Sequence, residues 1–193
     1  MDINSLLSGS IGQQIVGTAA KQLGIDESQA QSAVSTAVPV LLSALNKNAQ
    51  NGGAEAISSA LEKHDGGILE NITSLFGQSS NQQDGLGILS HILGDKQKDV
   101  ETVISQKSGL NTNQVTQILA LLAPVIMGFL GKQKGSQGLD SNGITNLLGG
   151  LVNGSGSSEG INLGGLEKLL DQDGDGKLGA SDVMGMLGGL FKK

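Results

Sequence analysis

Four aspartates near the carboxyl end have the side chains and the spacing needed to bind a divalent cation. Asp171, Asp173 and Asp175 occupy alternate positions, and Asp182 follows after a short interval. Carboxylates crowded at alternate positions of a turn repel one another unless a cation neutralises them. Calcium is a hard ion that takes about six to eight oxygen ligands. The segment therefore predicts a calcium site, with magnesium as the second candidate ion.

The residues between these aspartates suit a metal-binding loop. Gly176 permits the sharp turn, Lys177 would contribute its backbone carbonyl to the ion, and Gly179 leaves space for a water ligand. The sequence DQDGDGKLGASD resembles the EF-hand loop, and its DGDGKL run also resembles the loops of dockerins. The expected metal ligands are Asp171, Asp173, Asp175, Lys177 and Asp182.

Asp182 stands where most EF-hand loops have glutamate. Its side chain is one methylene shorter, so it binds through both oxygens only if the following helix approaches the ion more closely. A ligand bridged by water is the alternative. The segment Asp140–Gly143 begins like a second loop but does not continue as one. Because EF-hands usually occur in pairs, a single loop predicts packing on the helical body or dimerisation through this unit.

The composition excludes several other kinds of site. The 193 residues contain no cysteine, and all 12 basic residues are lysines. The chain therefore has no thiol nucleophile, no disulfide and no cysteine-based metal centre, and it has no arginine clamp for phosphate. Three aromatic residues and a net charge of -6 argue against nucleic-acid binding.

Helical spacing dominates the sequence, and strand patterns are scarce. Apolar residues recur every four positions from Ile11 to Leu23, and Gly24 provides a stop. Asp26 and Gln29 have the spacing of a loose capping box at the start of the next helix. Further helices are expected at 54–63, 68–76, 86–93, 98–107, 113–130 and 144–152.

Two of the longer segments form an internal repeat. Residues 24–45 match residues 109–130, and each segment combines a glycine stop, a polar cap and an apolar helix with an internal proline. Proline lacks the N–H donor and crowds the preceding turn, so Pro39 and Pro124 predict a kink or a break. We expect these two helices to pack together at the centre of the fold.

Two short motifs carry a family resemblance. The segment DGLGILSHILG, Asp84–Gly94, resembles a glycine-rich element of the YidB-like family, and LLAPVIMGFLG, with its Ala123-Pro124 step, resembles a later helix of that family. The resemblance covers roughly residues 1–135. It implies a small all-helical fold and a bacterial origin. It implies no activity, because the family has no established catalytic residues.

The sequence thus predicts an all-α protein in three parts. Residues 1–148 would form a compact helical bundle containing the pseudo-repeated, proline-kinked helices, residues 149–160 a Gly/Ser linker, and residues 161–193 a small helix-loop-helix calcium unit. The expected function is non-enzymatic calcium binding that orders the C-terminal unit. The alternative is a dockerin-like adhesion or assembly module whose last helix binds a protein partner.

The two histidines give little support to an enzyme. His64 lies near a helix end, where a cation would complement the helix dipole. His91 lies in an apolar helix, so we expect it to be packed or at an interface, and the adjacent Ser90 side chain diverges from it. Charged residues over 95–107 alternate in sign, which predicts a solvated face. A hydrolase that uses these serine and histidine side chains is the third hypothesis.

Location and partners are predicted from the ends and the longest apolar stretch. No basic segment precedes an apolar run at the amino terminus, so we expect no secretory signal and a cytoplasmic location. Ile118–Leu130 is shorter than the roughly 18 residues that suggest a spanning helix, which favours a buried helix over a membrane segment. The expected partner is another protein or a second copy of the chain.

Overall fold

Helices account for the ordered elements of the described chain. The structure is a computed structural model that describes residues 9–64, 66–70 and 79–154. No strand occurs within these ranges, which confirms the all-α prediction for them. A π-type turn, Ala49–Gly53, follows the second helix, and two 3-10 turns are Gly67–Glu70 and Gly94–Lys96. The α-helices are α1 (Ser10–Leu23), α2 (Glu27–Asn48), α3 (Ala54–Glu62), α4 (Ser79–Leu93), α5 (Gln97–Ser108), α6 (Thr112–Gln137) and α7 (Ser141–Gly154).

The predicted helices are found, with different limits. The helix expected at 86–93 begins earlier, at Ser79, and the helix expected at 113–130 continues to Gln137. Of the helix expected at 68–76, the part up to Glu70 is a 3-10 turn, and residues 71–78 lie outside the described residues. Helix α7 continues to Gly154, into the first residues of the segment predicted as a linker.

Each repeat segment begins with a left-handed glycine that ends the preceding helix. Gly24 has φ 61°, and its N–H donates to the carbonyl of Ala20 at the end of α1. Gly109 has φ 71° and donates in the same way to Ser105 O, 2.9 Å away, at the end of α5. A side chain at either position would be strained, because L-residues rarely adopt positive φ. The predicted stop at Gly24 is confirmed and recurs in the second repeat.

A polar cap then begins the long helix of each repeat. Before α6, Asn111 Oδ1 accepts a hydrogen bond from Gln114 N–H at 3.0 Å, and Gln114 Oε1 accepts one from Asn111 N–H at 3.1 Å. Before α2, the N–H of Asp26 donates to Gln29 Oε1 at 3.4 Å. Reciprocal bonds of this kind satisfy backbone donors that a helix start leaves free. The capping box predicted from the sequence is therefore present.

Both prolines lie inside continuous helices, so the expectation of a break is wrong. Pro39 lies within α2 and Pro124 within α6, and each is buried. Proline removes one hydrogen bond of the helix, but most helical stability in a protein comes from packing of the apolar face. Burial of the residues on both sides of each proline therefore holds the helix together across the missing bond.

The two long helices contact each other, as the repeat predicts, and α6 is buried along most of its length. The packing around them is not symmetric. Helix α5 packs on α2, whereas α1 does not pack on α6 to a comparable extent. The most extensive contact of α6 is with α4. The repeat therefore describes two similar local units rather than a symmetric bundle.

Helices α4 and α6 approach each other closely at a glycine. Gly85 is buried, and a Cβ added to it would overlap the backbone carbonyl of Ala120. Gly87, two residues further along the same helix, is exposed, and a Cβ there would meet no atom within 4 Å. Of Gly85 and Gly87, the packing of α4 on α6 therefore requires a glycine at Gly85 alone.

The substitution Gly85→Ala should destabilise the protein, because the new methyl group forces α4 away from α6. Overpacking of this kind costs about 1–3 kcal/mol. Gly87→Ala is the matched control, and it should be neutral or stabilising by up to about 1 kcal/mol, since alanine is the better helix former. Urea unfolding of the two variants measures the difference. Equal stabilities would contradict the close contact between α4 and α6.

Candidate functional site

The predicted calcium ligands lie outside the described residues. Asp171, Asp173, Asp175, Lys177 and Asp182 all follow Gly154, where the described chain ends. Within the described chain, no group of three or more His, Asp or Glu side chains could hold a metal ion. The geometry that can be described is therefore that of the helical body.

Asp140 has a structural role that explains why its segment only begins like a metal loop. It precedes α7, and its Oδ1 accepts a hydrogen bond from the N–H of Gly143 at 2.7 Å. Its backbone carbonyl accepts from the N–H of Ile144 at 2.9 Å. An aspartate at this position satisfies a free donor of the first helical turn. The Asp140–Gly143 segment is thus a helix cap.

The two histidines lie apart and have different surroundings. His64 lies two residues after Glu62, the last residue of α3, near the helix end as expected, and it is half-buried. His91 is exposed, so the expectation that it is packed within the helical body is wrong, and the alternative that it lies at an interface stays a prediction. Its Nδ1 lies 2.8 Å from the carbonyl oxygen of Gly87, one turn back on α4. A ring nitrogen facing a carbonyl must carry the proton and donate it, so this nitrogen is not free to act as a base.

Glu101 corrects the prediction that the charged residues of α5 form a solvated face. The charged residues Lys98, Asp99 and Lys107 of this helix are exposed, but Glu101 is buried, with 9% of its surface accessible. Its Oε1 accepts a hydrogen bond from Gln97 Nε2 at 2.8 Å. Thr116 Oγ1 on α6 lies 2.8 Å from the same oxygen and 2.9 Å from the carbonyl of Thr112, and its single proton can serve one of them at a time.

The signal for this burial was present in the sequence. Glu101 shares a helix face with Ile104 and Ser108, which are also buried. Residues at i, i+3 and i+7 lie on one side of a helix, so the carboxylate belongs to the apolar face. Its hydrogen bond from Thr116 joins α5 to α6 and makes it a structural group.

Lys134 joins α6 to α3 through two acceptors. Its Nζ lies 2.6 Å from Glu62 Oε1 and donates to the carbonyl oxygen of Ser58 at 3.1 Å. The lysine side chain is 13% exposed and that of Glu62 is 69% exposed. The hydrogen bond from Lys134, and then its charge, lower the pKa of Glu62 below its ordinary value.

This ion pair should make stability depend on pH in the acid range. A carboxylate whose pKa is lower in the folded state stabilises the fold above its ordinary pKa, and the contribution is lost as the pH falls through the lowered value. Glu62→Gln should therefore be less stable than the unaltered chain at neutral pH, by a small amount because the pair is exposed. The difference should close in acid, as followed by urea unfolding over a pH series.

A double-mutant cycle isolates the pair. In a Lys134→Met background, Glu62→Gln should have no pH-dependent effect on unfolding, since the partner charge is absent. A pH dependence that persists in that background would show that another group, and not Lys134, perturbs Glu62.

Helix α6 is the described segment that is long and apolar enough to cross a membrane by length and composition. Most of this apolar stretch is buried inside the protein. A core helix of a globular protein gives the same signal. The packing around α6 accounts for its hydropathy, in agreement with the buried helix favoured by the sequence.

Comparison with known proteins identifies one family. No curated protein and no solved structure shows significant similarity to the chain. A model of a family described as bacterial protein of unknown function (DUF937) matches residues 5–133, which include α1 to α5 and most of α6. The match covers more than half of the chain, and this all-helical protein therefore belongs to that bacterial family of unknown function.

Proposed function

We propose that the protein is a non-enzymatic calcium-binding protein whose site is the loop Asp171–Asp182. The observation that carries the proposal is the spacing of oxygen-bearing residues. Carboxylates at loop positions 1, 3, 5 and 12, with glycine at position 6, match the pattern of an EF-hand loop except that position 12 is aspartate in place of the usual glutamate. A solvated acidic turn between two helices has no need for carboxylates at each of these positions.

The charge of the loop supports the same function. Four aspartates and one lysine fall within twelve residues, so the empty loop carries strong internal repulsion. A divalent cation would relieve it. Binding that is stronger in the folded form than in the unfolded one stabilises the folded form, and calcium would in this way order the C-terminal unit.

The apolar residues that flank the loop suit two short helices. Leucines precede the loop at helical spacing, and a second set of apolar residues follows it. Such helices would hold the first and last ligands of the loop at a fixed separation. The flanking residues are Leu163, Leu166, Leu169, Leu170, Val183, Met184, Leu187 and Leu190.

The helical body supports a non-enzymatic function. Its well-placed polar side chains serve structural contacts: Asp140 caps α7, Glu101 joins α5 to α6, and Lys134 joins α6 to α3. We also propose that, among bacterial proteins of unknown function, the chain is related to the YidB-like family that its sequence resembles. The cytoplasmic location and the protein or homodimeric partner stay predictions.

Calorimetric titration tests the site directly. Full-length protein should bind about one calcium ion with micromolar or weaker affinity, and magnesium more weakly, as expected for an EF-hand loop that ends in aspartate. Asp171→Ala combined with Asp175→Ala should abolish the heat of binding, because both side chains lose the oxygens that would hold the ion.

A control pair removes the same charge outside the loop. Glu159→Gln combined with Glu167→Gln changes the net charge by the same amount and should leave calcium binding nearly unchanged. Equal loss of binding in the double loop variant and in this double control variant would show that the cation is attracted non-specifically, which contradicts the proposal. Equal heats from the loop variant and the unaltered protein would end it.

The last loop position offers a gain-of-function test. Asp182→Glu should tighten calcium binding and increase the preference for calcium over magnesium, because the longer side chain reaches the ion with both oxygens. Competition titrations with the two ions measure this preference. If Asp182→Glu weakened calcium binding, the loop would not have the EF-hand arrangement.

Capture of protein partners tests the dockerin-like alternative. A protein partner that is captured in the presence of calcium, and lost on deletion of 161–193, would favour an assembly module. Calcium binding without a partner favours the calcium-binding function alone.

A further inference from the structure

The chain contains three Asn-Gly pairs, and the fold gives them different surroundings. Asn51-Gly52 lies in the π-type turn after α2, Asn142-Gly143 in the first turn of α7, and Asn153-Gly154 at the end of α7. In such a pair the glycine nitrogen can attack the asparagine side chain, because glycine has no Cβ to obstruct it. We propose that Asn51 is a site of spontaneous deamidation in the folded protein, and that the fold protects Asn142.

The reaction needs only water. The backbone nitrogen of Gly52 forms a bond to Cγ of Asn51, and the bond from Cγ to the side-chain nitrogen breaks. The attacking nitrogen loses its proton, the leaving nitrogen gains one, and ammonia departs from a cyclic succinimide. Water then opens the ring at one of its two carbonyls, which gives aspartate or isoaspartate. No electrons are transferred to or from another reagent.

The turn at Asn51 has the freedom that this reaction needs. Asn51 has φ -83° and ψ 18°, and Gly52 has φ 93°, so both depart from helical geometry. Both residues are exposed, and a Cβ at Gly52 would meet no atom within 4 Å. The reacting atoms must first rotate into contact. An exposed turn outside helical geometry can do so at a lower cost than a regular helix.

The pair at Asn142 has no such freedom. The N–H of Gly143, the nitrogen that would attack, donates to Asp140 Oδ1 at 2.7 Å. The next N–H, that of Ile144, donates to the carbonyl of Asp140 at 2.9 Å. Attack by Gly143 N would break the cap and distort the first turn of α7. The same dipeptide is therefore protected at one place in the fold and unprotected at the other.

Deamidation at Asn51 would alter a tight part of the chain. The neighbouring Gly53 has no spare space, because a Cβ there would lie 2.7 Å from the carbonyl oxygen of Asn48. Isoaspartate adds a methylene to the main chain beside this contact, and either product adds a negative charge. The aged protein should therefore have a weakened connection between α2 and α3.

Peptide mapping of aged protein tests the proposal. Full-length protein is incubated in warm, mildly alkaline buffer and digested with trypsin, which releases residues 48–63 by cleaving after Lys47 and after Lys63. Conversion of Asn51 to acid should be several-fold faster than conversion of Asn142. In urea the two rates should become similar, since both are Asn-Gly pairs in an unfolded chain.

Variants separate the effect of the cap from that of the local sequence. Asp140→Ala removes the acceptor of the Gly143 N–H and should accelerate conversion of Asn142, whereas Asp140→Ser keeps a capping oxygen and should not. Asn51→Gln should remove the product from the 48–63 peptide and prevent the loss of thermal stability on ageing. Conversion of Asn142 as fast as that of Asn51 in the folded protein would overturn the proposal. A ratio of the Asn51 rate to the Asn142 rate that is the same in buffer and in urea would also overturn it.

Discussion

The fold depends on how closely neighbouring backbones approach helix α6. Gly85 of α4 lies against the carbonyl of Ala120, and Gly131 lies against the carbonyl of His64, with no space for a side chain at either glycine. Every residue from Ile118 to Gly131 is buried as a result. Protein interiors are close-packed, and a single methyl group at such a crossing would separate two helices over several turns. Glycine therefore permits the burial that stabilises this core.

Polar groups at the edges of this core are satisfied by neighbouring helices. Asn48, at the end of α2, donates to the carbonyl of Ile92 at 2.9 Å, where α4 ends. Lys134 donates to the carbonyl of Ser58 near the end of α3. Glu101 accepts hydrogen bonds from side chains of α5 and α6. Buried helix ends and carboxylates are costly without partners. These bonds thus set which helix ends meet, while apolar burial supplies most of the stability.

The described polar side chains of the helical body have structural roles, whereas the proposed calcium site lies in the C-terminal loop. The polar side chains described above act as caps and links within the body, and no cluster of metal-ligating side chains lies in its described ranges. The loop Asp171–Asp182 concentrates four carboxylates in a pattern that the helical body does not need. The proposal of calcium binding therefore rests on local spacing, which a sequence displays directly.

The sequence by itself determined the helical class, the repeated junctions and most helix positions. Gly24, Asp26 and their counterparts act on the nearest turn of the chain, so their effect can be read from neighbouring residues. The same local logic underlies the predicted calcium ligands, which lie outside the described residues.

Only the tertiary structure decided what depends on distant neighbours. Pro39 was expected to kink or break its helix, and packing against other helices keeps α2 continuous, which rules out the break. The burial of Glu101, the exposure of His91 and the difference between Gly85 and Gly87 likewise depend on which helix lies alongside. Local patterns fix a residue's place along its own helix, but they do not fix which surface of another helix it meets.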